Sequence, residues 1–386
     1  MYKVFKLSKV LFALLILSSS VALAAEEQKV MEGQVDTTSE EAHVDPWQVN
    51  VPHVPRDYDW LLLKNGELFK GEVQTMYQES MEFDSDEVGV ISIDMDDIAQ
   101  LRGKQIMSIR FEDDSVVEGR MVLSNNTVSF VEHPGKTFPR KNILAIAPSE
   151  ASGESLWSGE ISLGINYKDG NTEKFDYSSQ LKLRRLTAVD RIYINLIANY
   201  SATKDAETKE KLKTIENRRF TASYDWFFSR RVFFRIPSFE YYSDEFKNID
   251  YQLTLGVAIG YVMADKADFT WDVHTGPSVL YTQYDQVLPG EDEHHTSPVI
   301  EFGSRMNKDL TSDIEYFLDY TVKFVDEQSG AALHHLETGL DIELISDFDL
   351  TIKFIVDRIE KPTPDENGIF PEKDDHVLVV GVTYSF

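Results

Sequence analysis

His376-Val377-Leu378-Val379-Val380-Gly381-Val382-Thr383-Tyr384-Ser385-Phe386 is an alternating strand that stops on an aromatic residue. Chain ends ordinarily fray. A strand with no tail is expected where the last strand pairs with the first, closes a barrel and leaves no edge.

Upstream the same alternation recurs. From Leu156 onward, Trp157, Gly159, Ile161, Leu163, Ile165 and Tyr167 share one face, with Ser158, Glu160, Ser162, Gly164 and Asn166 on the other. Phe175, Tyr177, Leu181 and Leu183 repeat the pattern against Asp176, Ser178, Gln180, Lys182 and Arg184. Further alternating segments fall near 190–201, 218–229, 231–242, 250–263, 268–281, 298–307, 312–325, 334–345, 347–358 and 375–386. The reading is an all-β chain whose residues 155–386 form an antiparallel transmembrane β-barrel of about 12 strands. An even count returns both barrel ends to one side. Arg235 and Pro237 blur the fifth segment.

Aromatic spacing and loop lengths favour membrane insertion over a soluble β fold. Trp157 and Tyr167, Tyr251 and Tyr261, and Trp271 and Tyr281 are each ten residues apart. Ten residues of tilted strand cover about 23–27 Å, the height of the outward apolar band of such barrels. Connections at Ser229-Arg230-Arg231 and Ser346-Asp347 are tight, whereas 202–217, 282–297 and 359–374 are long and polar. Short periplasmic turns opposite longer outer loops give this asymmetry.

The chain opens with Lys3, Lys6 and Lys9, an apolar run from Val10 to Leu17, and Ala22-Leu23-Ala24. Residues 1–24 read as a secretory signal peptide. Without its three lysines the formal charge moves from −28 to −31, which excludes nucleic-acid binding through the overall field. Cysteine is absent, which removes disulfides, thiol catalysis and thiolate metal sites. Residues 25–56 are acidic and punctuated by Pro46, Pro52 and Pro55, so they read as a disordered linker around Trp47.

Between linker and barrel, 57–149 reads as a small β-rich periplasmic domain of two repeats, 57–104 and 105–149. Leu63-Lys64-Asn65-Gly66-Glu67-Leu68-Phe69-Lys70-Gly71-Glu72-Val73 aligns with Phe111-Glu112-Asp113-Asp114-Ser115-Val116-Val117-Glu118-Gly119-Arg120-Met121. Each is a strand, a tight turn and a second strand. The halves also end alike, Asp97-Ile98-Ala99-Gln100-Leu101 against Asn142-Ile143-Leu144-Ala145-Ile146. Neither is large enough to bury a core alone, so the two are expected to pack together in an SH3-like or sandwich module. A docking role for a periplasmic partner and a plug or spacer role are both open.

The lumen-lining candidates are Asp272, His274, Glu301, Arg305, Asp313, Glu315, Asp319, Glu337, Asp341, Glu343 and Lys353, with further basic residues at Lys182, Arg184, Arg219 and Lys323. They suit either a narrow cation-preferring pore or a lumen closed by mutual ion pairs. Asp272 and His274 with Ser278 would be the parts of a lipid-modifying enzyme, but no serine stands in an activated motif, and no catalysis is expected. Glu291-Asp292-Glu293-His294-His295 and His334-His335 carry metal-competent side chains, yet adjacent residues rarely share one ion. His295-Thr296-Ser297 is read as loop. No metal or cofactor is expected.

Several stretches resemble domain of unknown function 481, a proteobacterial family described as salt-induced outer-membrane proteins. They are Asp169-Gly170-Asn171-Thr172, Arg230-Arg231-Val232-Phe233-Phe234, Asp244-Glu245-Phe246-Lys247-Asn248-Ile249-Asp250, Gly256-Val257-Ala258-Ile259-Gly260-Tyr261 and Val382-Thr383-Tyr384-Ser385-Phe386. Tyr384 and Phe386 also look like the C-terminal assembly signal of bacterial outer-membrane barrels. The resemblance implies an integral outer-membrane protein of a Gram-negative envelope, linked to salt or osmotic stress. Its partners would be outer-membrane lipids, periplasmic chaperones and the barrel assembly machinery. It supplies no catalytic residues.

Overall fold

The computed structural model describes residues 57–386 apart from 78, 125, 150–155, 169–172, 205–210 and 346. The leader at 1–24, the linker at 25–56 and the turn at 169–172 lie outside the described residues. The described chain is β throughout, save for short 3₁₀ turns.

The N-terminal module holds β1 (Asp59–Leu63), β2 (Leu68–Tyr77), β3 (Ser80–Ser85), β4 (Gly89–Asp94), β5 (Ile98–Phe111), β6 (Val116–Ser124), β7 (Thr127–Phe130), β8 (Thr137–Pro139) and β9 (Ile143–Pro148). Its sheet order is β4-β3-β2-β1-β5-β6-β7-β8, with β9 pairing β2 and β5. The element order repeats. Strands β1 to β4, a 3₁₀ turn at Met95–Asp97 and the start of β5 are echoed by the end of β5, β6 to β8, a turn at Arg140–Asn142 and β9.

No linker separates the halves, because the expected division at 104/105 falls inside β5. The first part of β5 pairs with β6 of the second half (Leu101↔Leu123), and β9 returns to β2 of the first (Met76↔Ile146). One apolar core results, with Leu61, Phe83, Leu101, Ile109, Phe111 and Leu123 all buried in it. Gly71 sits where β2 and β3 touch, and a Cβ there would collide with the carbonyl of Asp84. Its counterpart Gly119 lies under the side chains of Glu132 and Phe130.

The barrel is closed by β10 (Trp157–Lys168), β11 (Glu173–Leu186), β12 (Asp190–Lys204), β13 (Lys211–Phe227), β14 (Val232–Asp244), β15 (Ile249–Lys266), β16 (Phe269–Tyr284), β17 (His294–Thr311), β18 (Ile314–Phe324), β19 (Ala332–Ile345), β20 (Phe348–Ile359) and β21 (Asp374–Ser385). Neighbours in sequence are neighbours in the sheet, all antiparallel. Phe386 exchanges hydrogen bonds of 2.8 and 2.9 Å with Gly159 at the closing seam.

Outward positions are apolar and exposed: Leu163, Ile165, Leu255, Ile259, Val279, Ile300, Phe302, Leu378 and Val380. Inward positions of the barrel strands include buried polar residues: Gln180, Asn195, Thr254, Thr282, Lys323 and Lys353. The alternation is inverted relative to a soluble sheet. Pro237 sits at a bulge in β14, where the register shifts between Arg235 and Ser238, so the missing N–H interrupts no regular ladder. Gly260 opens the wall for a neighbour, since a Cβ there would run into the Phe233 ring.

Two of the expected long loops are shorter than their sequence suggests. Strands β12 and β13 claim most of 202–217, and β16 and β17 leave 285–293 between them. Consequently His295, Thr296 and Ser297 lie in β17, not in a loop. Beyond the apolar band both faces of a strand meet water or polar neighbours, so alternation fades while pairing continues.

The module contacts the turns at the end of the barrel where β10 begins. Arg110 donates to the carbonyl of Phe227 (2.5 Å), and Tyr77 stacks on the Phe227 ring at 3.9 Å. Ala188 packs on Ala145 and Ala147. Arg230 reaches the carbonyls of Lys141 (2.7 Å) and Ile143 (3.1 Å), and the N–H of Ala267 donates to Asp94 (2.8 Å).

Candidate functional site: the barrel lumen

Alternate residues of each strand point into the barrel, and closure brings together charges far apart in sequence. Arg219 on β13 reaches Asp357 on β20 (2.6 Å) and Glu240 on β14 (3.1 Å). Lys323 on β18 crosses to Glu240 (2.6 Å) and to the Thr254 hydroxyl (3.0 Å). His335 stands between Asp357 (Nδ1, 2.8 Å) and Glu337 (Nε2, 3.3 Å). Lys353 approaches Glu337 at 3.4 Å and donates to Gln180, whose amide nitrogen lies 2.9 Å from Asn195. These groups form one connected belt around and across the lumen.

A second cluster lies toward the module. Asp225 is fully buried and accepts from Arg235 Nε (2.7 Å) and Arg191 Nη2 (2.8 Å). Arg191 also lies 3.7 Å from Asp272. Arg235 Nη1 is 3.1 Å from His274 Nε2, and that nitrogen is 3.3 Å from Glu301. Arg305 pairs with Asp319 at 2.9 Å and stacks over the Tyr193 ring. Burying such charges singly would be prohibitive, so their pairing is what makes the interior possible.

Of the sequence candidates, Asp272, His274, Glu301, Arg305, Asp319, Glu337 and Lys353 are drawn into these networks. Glu315 accepts from Asn307 (2.8 Å) and Asp341 from Thr351 (2.5 Å), both nearer the module end. Glu343 lies exposed at the rim. Two assignments change. Asp313 is an exposed residue of the turn between β17 and β18, not a lumen residue. Arg184 leaves the lumen for Glu82 of the module, at 3.2 Å. Arg191, Asp225, Arg235, Glu240 and Asp357 were missed. Each has inward parity, a signal present in the sequence but indistinguishable there from ordinary surface charge.

About 90 Å³ of free space remains in the midst of the belt, bounded by Tyr193, Arg219, Glu240, His274, His335 and Glu337. That admits a few waters and is well below the roughly 300 Å³ of a small-molecule site. The far end is closed too. Inward-facing Tyr242 and Ile359 cluster with Ile249, and the buried Lys247 donates to the carbonyls of Glu372 (3.1 Å) and Lys373 (3.0 Å).

The parts of a hydrolase do not assemble. Ser278 is inward but its hydroxyl has no partner. His274 lies four residues along the same strand, about 13 Å away. Among the described residues no group of three or more His, Asp or Glu is placed to hold a metal ion. His295 pairs with Asp326 at 2.7 Å while His294 stacks on Tyr281, so the neighbouring histidines turn apart.

A closed antiparallel barrel, apolar outside and ion-paired inside, is a transmembrane barrel of the outer-membrane type. Residues 161–386, more than half of the chain, match the family described as "Protein of unknown function, DUF481", and the chain belongs to that family. No curated protein matches it. Among solved structures it is similar to the NanC porin: 12% identity over 59% of this chain and 100% of the porin, TM-score 0.37. It is also similar to the translocator domain of autotransporter NalP from Neisseria meningitidis: 11% identity, 60% and 87% coverage, TM-score 0.33. A third likeness is the COG4313 outer membrane channel from Pseudomonas putida F1: 10% identity, 60% and 95% coverage, TM-score 0.33.

Proposed function

We propose that this protein is an integral outer-membrane barrel that serves the Gram-negative envelope without catalysis and without conducting solutes, its module facing the periplasm. The observation behind this reading is the crossed network of Arg219, Glu240, Lys323, His335, Glu337 and Asp357, whose pairs span the lumen. Opening a path would require separating buried charges from their partners, which is costly. A salt- or osmotic-stress role rests on the family resemblance, and impaired growth of a deletion strain in high salt is its test. Outer-membrane lipids would cover the outward apolar band. Chaperones and the assembly machinery would deliver the chain through the Tyr384 and Phe386 ending.

A second reading, a narrow cation pore, draws on the acidic group Glu160, Asp309, Glu315, Asp341 and Asp349 near the module end, whose nearby cations include Lys182, paired with Glu160 at 2.9 Å, and Lys353. Planar-bilayer recording separates the two. The closed-lumen reading expects no steady current from the folded protein. A stable cation-selective conductance establishes the pore and defeats the closed lumen.

A further inference from the structure

Eleven of the twelve strand junctions in the barrel run through long ladders of paired residues, and β20 with β21 is typical, paired from Phe348↔Tyr384 to Arg358↔Asp374. The closing seam between β10 and β21 is different. It is paired at Glu160↔Ser385, Ile161↔Tyr384, Ser162↔Thr383 and Leu163↔Val382, and stops there. The same register would carry on from Gly164 opposite Gly381 to Lys168 opposite Val377, and none of those pairs forms. At the branch point glycines bring the backbones together. A Cβ on Gly381 would collide with the carbonyl of Leu163, and one on Gly164 would lie 2.9 Å from a Val379 methyl. Leu163, Gly164, Gln180, Lys353, Val379 and Gly381 line a small cavity there, about 10 Å³.

Unpaired strand edges facing hydrocarbon are costly, which is why membrane barrels close fully. An interruption at this one place therefore requires an occupant or a use. Two features point to lipid. Ile165 and Leu378, outward on the two unpaired edges, are 70% and 68% exposed, at the top of the range among the apolar side chains. Behind the edge, inward Val377, Val379 and Ile355 make an apolar wall where other parts of the lumen are ion-paired, with Ile355 and Val377 directly opposite each other.

We propose that the upper seam is a lateral opening that admits the acyl chain of a membrane lipid between β10 and β21 to rest against Val377, Val379 and Ile355. The opening rests on the outer-membrane reading, since only there does lipid lie against Ile165 and Leu378.

The absence of cysteine makes the test clean. Full-length protein is reconstituted in phospholipid vesicles, and folding of each variant is checked by heat-modifiable gel mobility. Nitroxide labels are placed at Leu378→Cys (outward), Val379→Cys (inward at the seam) and Val299→Cys (inward between fully paired strands), and collision with lipid-soluble oxygen is measured. The expected result is high oxygen contact at Leu378→Cys, nearly as high at Val379→Cys, and several-fold lower at Val299→Cys. Low contact at Val379→Cys beside high contact at Leu378→Cys overturns the opening alone. Low contact at Leu378→Cys defeats the membrane reading itself. Disulfide pairs keep the proposal falsifiable if an inward label disturbs folding. Directly paired strand residues have Cβ atoms within bridging reach, so Ile161→Cys/Tyr384→Cys should oxidise at least about tenfold faster than Ile165→Cys/Val380→Cys. Equal rates overturn the proposal, and so does an Ile165→Cys crosslink between two chains, which would place a second copy on the edge.

Discussion

The module and the barrel are built from the same alternating strands and bury opposite residues. Leu61, Phe83, Leu101, Ile109 and Phe111 fill the module, and its charges face water apart from the buried Asp59 and Arg110. Arg219, Glu240, Lys323, His335, Glu337 and Asp357 pair inside the barrel, while Ile165, Ile259, Ile300 and Phe302 face out. Period-two alternation alone therefore does not say which face is the inside. The surrounding solvent decides: water expels apolar surface into the module core, while hydrocarbon leaves charged groups only the lumen.

The largest test of this contrast is truncation. Fragment 57–149 should melt cooperatively in water, whereas 57–104 or 105–149 alone should be unfolded, because β5 and β9 complete each other's half. Circular dichroism melting decides it, and a half that melts cooperatively as a monomer would break the single-core description. Next in size is Glu240→Ala, which leaves Arg219 and Lys323 without a shared partner inside the barrel. The expected loss is about 3–5 kcal/mol, read by urea unfolding of the refolded protein in vesicles. A loss like that of a surface ion pair would mean that the lumen is water-filled.

A matched pair of outward residues sharpens the comparison further. Ile259 and Val90 are 49% and 66% exposed, on barrel and module respectively. Ile259→Arg should cost about 2–4 kcal/mol, the price of an arginine at mid-bilayer. Val90→Arg should stay within about 0.5 kcal/mol. Equal effects in vesicle unfolding would remove the reason for treating the two exposures differently.

The smallest effect concerns Asp59. Burial pushes its carboxyl above the ordinary aspartate value, although the N–H groups of Val73 (2.7 Å) and Lys104 (2.5 Å) donate to it. A raised folded value means that its stabilising contribution is complete below the unfolded value of about 4 and falls as pH rises through the folded one. Melting of the module should thus decline over that window, with a shallower slope in Asp59→Asn. An unchanged slope would show that Asp59 does not govern it.

Parity made most of the fold legible: the strand count, the inward sets and the hairpin repeats can all be read from residues two apart. Partner choice was not legible. Arg219 and Asp357 meet because the sheet closes, and nothing local marks them. Arg184 has inward parity yet bonds Glu82, because the module reaches its end of the strand. Asp313 continues the strand's charge pattern but falls in a turn. The interrupted seam is equally silent, since β10 and β21 both alternate to their ends.

Whether lipid surrounds the chain is tested most directly by membrane fractionation of cells expressing it, with gel mobility compared before and after boiling. An inside-out barrel should sediment with the outer membrane and shift in mobility on heating. Recovery as a soluble periplasmic protein with no mobility change would contradict it.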